Sequence, residues 1–144
     1  MVNSEEDRLI EDILDRIRTI AIVGLSSKPS RPSNAVSAYL LSVGFNIIPV
    51  NPHEKEVFGI PAVGRLEDID GPVDLVSVFR RPPEGPALAR SAAAIGAPAY
   101  WMQPGAESEP AAEIARTAGM DVISGPCIMV QYRLLTLRRN ANVR

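Results

Sequence analysis

Apolar residues fall into short unbroken runs that alternate with stretches of helical period. Ile10, Ile13, Leu14 and Ile17 stand at i, i+3, i+4 and i+7, behind Ser4-Glu5-Glu6-Asp7 with its acid three positions after the serine. That spacing predicts an amphipathic helix over residues 4–18, started by Ser4 and packed near the first strand. Ile20 to Gly24 follows without polar alternation, as a strand covered on both faces of a parallel sheet requires. Pro32 suits the first turn of the next helix, with Ser30 or Arg31 before it as cap. Val36, Tyr39, Leu40 and Val43 keep that helix's period, Gly44 closes it, and Phe45–Val50 reads as the second strand.

The sequence helix, glycine, apolar strand then recurs. Leu88 to Ile95 ends at Gly96 and enters Ala97–Met102; Ile114 to Ala118 ends at Gly119 and enters Met120–Ser124. Val73–Phe79 is a further apolar run. Alternating β and α segments predict a three-layer, Rossmann-like α/β fold: a doubly wound, mainly parallel five-stranded sheet, in the expected order 3-2-1-4-5, with an added N-terminal helix. Residues 53–71 form the least regular crossover, with one helical turn expected at Leu66–Ile69. Ile128, Tyr132, Leu135 and Leu137 predict a final helix that frays in the polar tail 138–144. No linker divides the 144 residues, so a single domain is expected.

Composition narrows the function classes. The chain is 46% hydrophobic and 22% charged, ordinary for a globular domain, and its net charge of −2 gives no global pull toward nucleic acid or an acidic membrane. The first residues are polar and acidic, unlike a signal peptide, and no apolar run reaches membrane-spanning length, so a cytoplasmic protein is expected. One cysteine, Cys127, excludes an intrachain disulfide and any CxxC motif. With one histidine, His53, the chain assembles no metal cluster and no Ser–His–Asp ordering.

The informative positions follow the strands, because ligands of open parallel sheets bind outside the carboxyl ends of the strands. After the first strand comes Gly24-Leu25-Ser26-Ser27-Lys28, and after the second Asn51-Pro52-His53-Glu54-Lys55. Arg80-Arg81-Pro82-Pro83 follows the third, and Gln103-Pro104-Gly105 the fourth. Both lysines of the chain, Lys28 and Lys55, lie in these loops. Gly24, the serines and the N–H groups at a helix start suit an anion, to which Lys28 and Arg31 add charge. The turn alone also explains Gly24. The dinucleotide fingerprint would need glycines at positions 26 and 29, where Ser26 and Pro29 stand. Asn51 replaces the acid that would hold an NAD ribose, which suits a ligand with a phosphorylated ribose, either coenzyme A or NADP.

Several stretches together resemble the small stand-alone coenzyme A-binding proteins related to the N-terminal domain of the succinyl-CoA synthetase α chain. They are Ile20–Ser26 with Ser30-Arg31-Pro32-Ser33, Ile48-Pro49-Val50-Asn51-Pro52, Val73–Val76, Val78-Phe79-Arg80, Trp101-Met102-Gln103 and Cys127-Ile128, spanning about residues 19–135. The resemblance implies CoA or an acyl-CoA along the strand ends. Its pyrophosphate would lie near Gly24, Leu25, Ser26 and Ser27, and its adenosine near Val50, Asn51, Pro52 and Phe79, Arg80, Arg81. Lys28, Arg31, Pro32, Ser33, Lys55, Met102 and Gln103 complete the implied set. Gln131-Tyr132 stands where family members often carry an acid and a histidine. The phosphohistidine domain of the larger synthetase has no counterpart here, so ligase activity is not implied.

The expected function is a non-catalytic module that binds, carries or senses a CoA ligand, as monomer or homodimer. The alternative is an NAD(P)-binding oxidoreductase, against which stand the missing glycines, the absent acid after the second strand and the lack of a proton donor. His53 reads as a loop bystander and Cys127 as an inert, buried thiol near a helix start.

Overall fold

The computed structural model describes residues 4–142. Helix α1 (Glu5–Arg16) begins as its sequence predicts: the Ser4 hydroxyl accepts from the Asp7 N–H at 3.0 Å. Strand β1 (Thr19–Val23) leads through the loop 24–31 into α2 (Pro32–Ser42), and Gly44, at φ +103°, turns the chain into β2 (Asn46–Val50). A two-stranded hairpin follows, β3 (Glu56–Val57) and β4 (Ile60–Pro61), then a single 3₁₀ turn at Leu66–Asp68. The remainder runs β5 (Leu75–Val78), α3 (Gly85–Ala94), β6 (Ala99–Met102), α4 (Glu109–Thr117), β7 (Asp121–Ser124) and α5 (Ile128–Asn142).

All pairings of the main sheet are parallel, and its order is β2-β1-β5-β6-β7. The doubly wound class is therefore as expected, but the strand order is not. Counted among the five parallel strands it is 2-1-3-4-5, not 3-2-1-4-5. Pro49 supplies the reason. It sits in the middle of β2 and has no N–H to donate, which confines such a strand to an edge of the sheet. Its carbonyl faces outward and accepts from the Val63 N–H at 3.0 Å, while Asn51 N–H donates to the Val63 carbonyl at 2.8 Å. The crossover 51–72 thus covers the outer edge of β2, and β5 takes the free side of β1.

Alternate residues of each strand serve two cores. Ile20, Ile22, Leu75, Trp101 and Ile123 face α1, α2 and α5; Ala21, Val23, Val76, Val78, Tyr100 and Met102 face α3 and α4. Burial on both faces explains why the strands lack a polar alternation. The second layer packs closely through small residues, Ala89 and Ala92 against Ala111, Ala112 and Ala115. A Cβ built on Gly85 would lie 2.9 Å from Ser108 Cβ, so α3 can start against α4 only as glycine. In the first layer the Trp101 indole N–H donates to the Pro126 carbonyl at 2.8 Å.

The final helix runs further than expected. α1 packs on α5 and β7 through the Ile10, Ile13, Leu14 and Ile17 stripe, in one core cluster with Ile20 and Ile22 of the first strand, near which it was expected. α5 does not fray at residue 138 but continues to Asn142, since Arg139 is held by Asp15 and Glu11 of α1. Residues 143 and 144 of the predicted tail lie outside the described residues.

Candidate functional site

The two halves of the sheet diverge between β1 and β5, because the chain moves outward to β2 in one direction and to β5 in the other. Such a switch in strand order opens a crevice at the carboxyl ends. Here the crevice is a cavity of about 560 Å³ lined by the β1 loop, the start of α2 and the loops after β2, β5 and β6.

Three consecutive N–H groups of the β1 loop meet side-chain oxygens. Ser26 donates to the Ser33 hydroxyl at 3.1 Å, Ser27 to the Glu54 carboxylate at 2.8 Å, and Lys28 to the Ser26 hydroxyl at 3.1 Å. Asn34 Nδ2 donates to the Ser26 carbonyl at 2.9 Å, tying the loop to α2. Arg31 occupies the N-cap position of α2, yet its side chain makes no capping bond, and no acidic residue stands in the first turn. The positive end of the helix dipole therefore opens on the cavity without a neutralising acid from its own first turn.

Gly24 is required by its neighbours rather than by the approach of a ligand. Its φ is +88°, and a Cβ there would sit 2.7 Å from the Phe79 carbonyl oxygen and 2.9 Å from Arg80 Cδ. The Arg80 stem lies across this glycine, and its guanidinium meets Glu84 Oε1 from both Nε (3.0 Å) and Nη2 (2.8 Å). Arg80 also borders a second cavity of about 410 Å³, walled by Val23, Val50, Pro52, Leu66 and Leu88 with Arg65, Glu67 and Ser91. The two cavities share Gly24 and Arg80.

Of the positions named from sequence, Gly24, Ser26, Lys28, Arg31, Pro32, Ser33, Asn51, Phe79, Arg80 and Arg81 line the first cavity, and Val50 and Pro52 the second. Leu25 is fully buried in the core, where only its carbonyl serves the site. Ser27 borders neither cavity but contributes its N–H to Glu54. Lys55 lies outside both, at the base of the β3–β4 hairpin, where its carbonyl accepts from the Ala62 N–H. Met102 and Gln103 are wholly buried. The Gln103 amide is committed elsewhere: Nε2 donates to the Ser77 hydroxyl at 3.1 Å, and Oε1 accepts the Ile128 N–H at 3.0 Å, closing the start of α5.

Asn51 has a structural reason to be uncharged. Its Nδ2 donates to the Leu25 carbonyl at 3.0 Å, and its Oδ1 accepts the His53 N–H at 2.9 Å. An aspartate would present an oxygen to the Leu25 carbonyl, so the missing acid reflects this loop-to-loop tie as much as any ribose.

His53, Glu54, Pro104, Gly105 and Ala106 also line the first cavity and were not in the expected set. The position of Glu54 after β2 was the available signal. It is masked in sequence because loop acids are common. Donation by the Ser27 N–H and hydroxyl holds the Glu54 carboxyl below its usual range, with nearby Lys28 and His53 acting in the same direction. Among the described residues, no group of three or more His, Cys, Asp or Glu side chains could hold a metal ion, and no helix is long and apolar enough to cross a membrane.

A parallel sheet with a strand-order switch, a glycine turn, an uncapped helix start and a cation-lined crevice defines a nucleotide-binding α/β domain. The CoA binding domain family model matches residues 18–133, and the chain belongs to that family. It is 42% identical over 123 residues to the uncharacterized protein YneT of Bacillus subtilis (strain 168), covering 85% of this chain and 91% of that protein. Its fold is similar to the crystal structure of Prb, the PH1109 protein redesigned for binding, with a TM-score of 0.90 and 32% identity over 94% of this chain and 96% of the other. A hypothetical protein from Pyrococcus horikoshii OT3 is similar at a TM-score of 0.88 and 33% identity, over 90% and 92% of the two chains.

Proposed function

We propose that the protein binds coenzyme A or an acyl-CoA across the carboxyl ends of β2, β1 and β5 as a binding, carrier or regulatory module without catalysis of its own. The observation that carries this reading is the pairing of an unblocked α2 N-terminus with Lys28, Arg31 and Arg81, cations that form no ion pair among the described residues. The pyrophosphate would take the first cavity, beside Ser26, Ser33 and these cations. The adenosine would take the second, whose walls of Val50, Pro52, Leu66 and Leu88 offer the apolar surface a base needs. Arg80 borders both cavities and would meet a phosphate from either. Family membership supports a CoA ligand in general; the cavity arrangement supports this pose.

Thermal denaturation with CoA, acetyl-CoA, NAD and NADP tests the assignment. A ligand at 100 times its Kd adds about 2.7 kcal/mol of stability, which is readily seen as a raised melting temperature. CoA or acetyl-CoA should give this shift and NAD none. Stabilisation by NADP and not by either CoA ligand would overturn the proposal in favour of an NADP-binding protein.

A further inference from the structure

Within the cation-lined cavity stands one anion whose position the binding reading leaves unexplained. Glu54 crosses from the loop after β2 to accept the Ser27 N–H at 2.8 Å, in the middle of the β1 loop. Its placement is built in. Asn51 accepts from the His53 N–H, Glu54 N–H donates back to the Asn51 carbonyl at 3.2 Å, and Asn51 Nδ2 holds the β1 loop through Leu25. These bonds turn the chain so that residue 54 meets residue 27. Glu54 forms no ion pair within 4.0 Å among the described residues, although Lys28, Arg31 and Arg81 share the cavity. A main-chain amide, not a lysine or arginine, is its partner.

We infer that Glu54 is an internal stand-in for a ligand phosphate: it occupies the Ser27 amide until a diphosphate displaces it, and so sets how much negative charge a ligand must bring. This rests on the reading of the cavity as a phosphate site. Two anionic oxygens can share one N–H only through a weakened three-centre bond, and two like charges at this distance repel. A ligand with a single phosphate charge gains little by exchanging places with Glu54. One with a pyrophosphate brings enough charge to engage Lys28, Arg31 and Arg81 together while taking the amide. Glu54 therefore selects diphosphate-bearing ligands over monophosphates.

Glu54→Gln isolates the charge, because the amide oxygen can still accept from Ser27. The variant should bind CoA and inorganic pyrophosphate about tenfold more tightly than wild type, the scale of a hydrogen bond to a charged group. Inorganic phosphate should gain more than pyrophosphate, so discrimination between the two anions narrows. Titration calorimetry with CoA, pyrophosphate and phosphate reads all three. Unchanged or weaker binding of pyrophosphate by Glu54→Gln overturns the inference. So does a fall in melting temperature without a gain in affinity for Glu54→Gln or Glu54→Ala, which would make Glu54 a loop clamp only. Tighter pyrophosphate binding with no response to CoA in either protein would sustain the role of Glu54 and reject the CoA reading. Ordinary CoA binding by wild type with no gain in the variant would do the reverse.

Discussion

The two ends of the sheet use their cations differently. At the amino end, Arg16 at the close of α1 meets Asp12 and Asp121, and Arg139 of α5 meets Glu11 and Asp15. These pairs join α1 to β7 and α5 on a surface where both signs are present, and Asp15 and Arg139 border a smaller cavity of about 240 Å³ there. At the carboxyl end, Lys28, Arg31 and Arg81 border a concavity without an ion-pair partner among the described residues. Arg80, the paired one, is held by the neighbouring Glu84 while its stem covers Gly24. Charge satisfied within the fold contributes to stability. Charge gathered around a crevice and left unmatched costs self-repulsion, which an anionic ligand relieves.

The largest effect on this contrast should come from Gly24. Gly24→Val demands a left-handed conformation of a β-branched residue and drives its Cβ against the Phe79 carbonyl, a backbone atom that cannot step aside. A loss of about 2–4 kcal/mol in denaturant unfolding is expected, together with loss of CoA binding. Retained stability would mean that the β1 loop is not pinned to β5 as described.

Lys28→Ala should separate binding from stability. The side chain is exposed and forms no ion pair among the described residues, so the melting temperature should hold while CoA affinity falls roughly fivefold to tenfold, the worth of one charge at a partly screened phosphate. A drop in stability with unaltered affinity would move Lys28 from the binding end to the structural one.

Arg139→Ala is the converse and the smallest. About half-exposed, this arginine should contribute less than about 1 kcal/mol to folding despite its two carboxylate partners. CoA affinity should be unchanged, and calorimetry on the same sample reads both quantities. Weakened CoA binding in this variant would break the division between the two ends.

Much of the fold was legible because both faces of the sheet are covered. Unbroken runs such as Ile20–Val23 and glycines such as Gly44 mark strands and helix ends through local physics alone. The strand order was readable in principle from Pro49, whose missing N–H assigns β2 to an edge, but the apolar run around it hides the signal. The β3–β4 hairpin escaped notice because its strands are two residues long and its turn places Phe58 at φ +57°, a conformation seldom read from phenylalanine. The lining of the candidate cavity was legible where polar residues follow strand ends, as at Lys28, Arg31 and Arg80. It was not legible where a side chain serves a distant partner. Gln103 looks like a ligand residue at the end of β6, yet it caps α5 from within the core. Glu54 looks like an ordinary loop acid, yet it reaches residue 27 only because Asn51 bends the chain.

The most direct measurement is a CoA titration followed through backbone amide resonances of the isotope-labelled protein. If CoA lies across the carboxyl ends of β2, β1 and β5, the largest shifts should fall on Gly24, Ser26, Ser27, Ser33 and Gly105, with the amides of α1 and the second half of α5 unmoved. Shifts concentrated on α1, α5 or the β3–β4 hairpin, or none at millimolar CoA, would contradict the account.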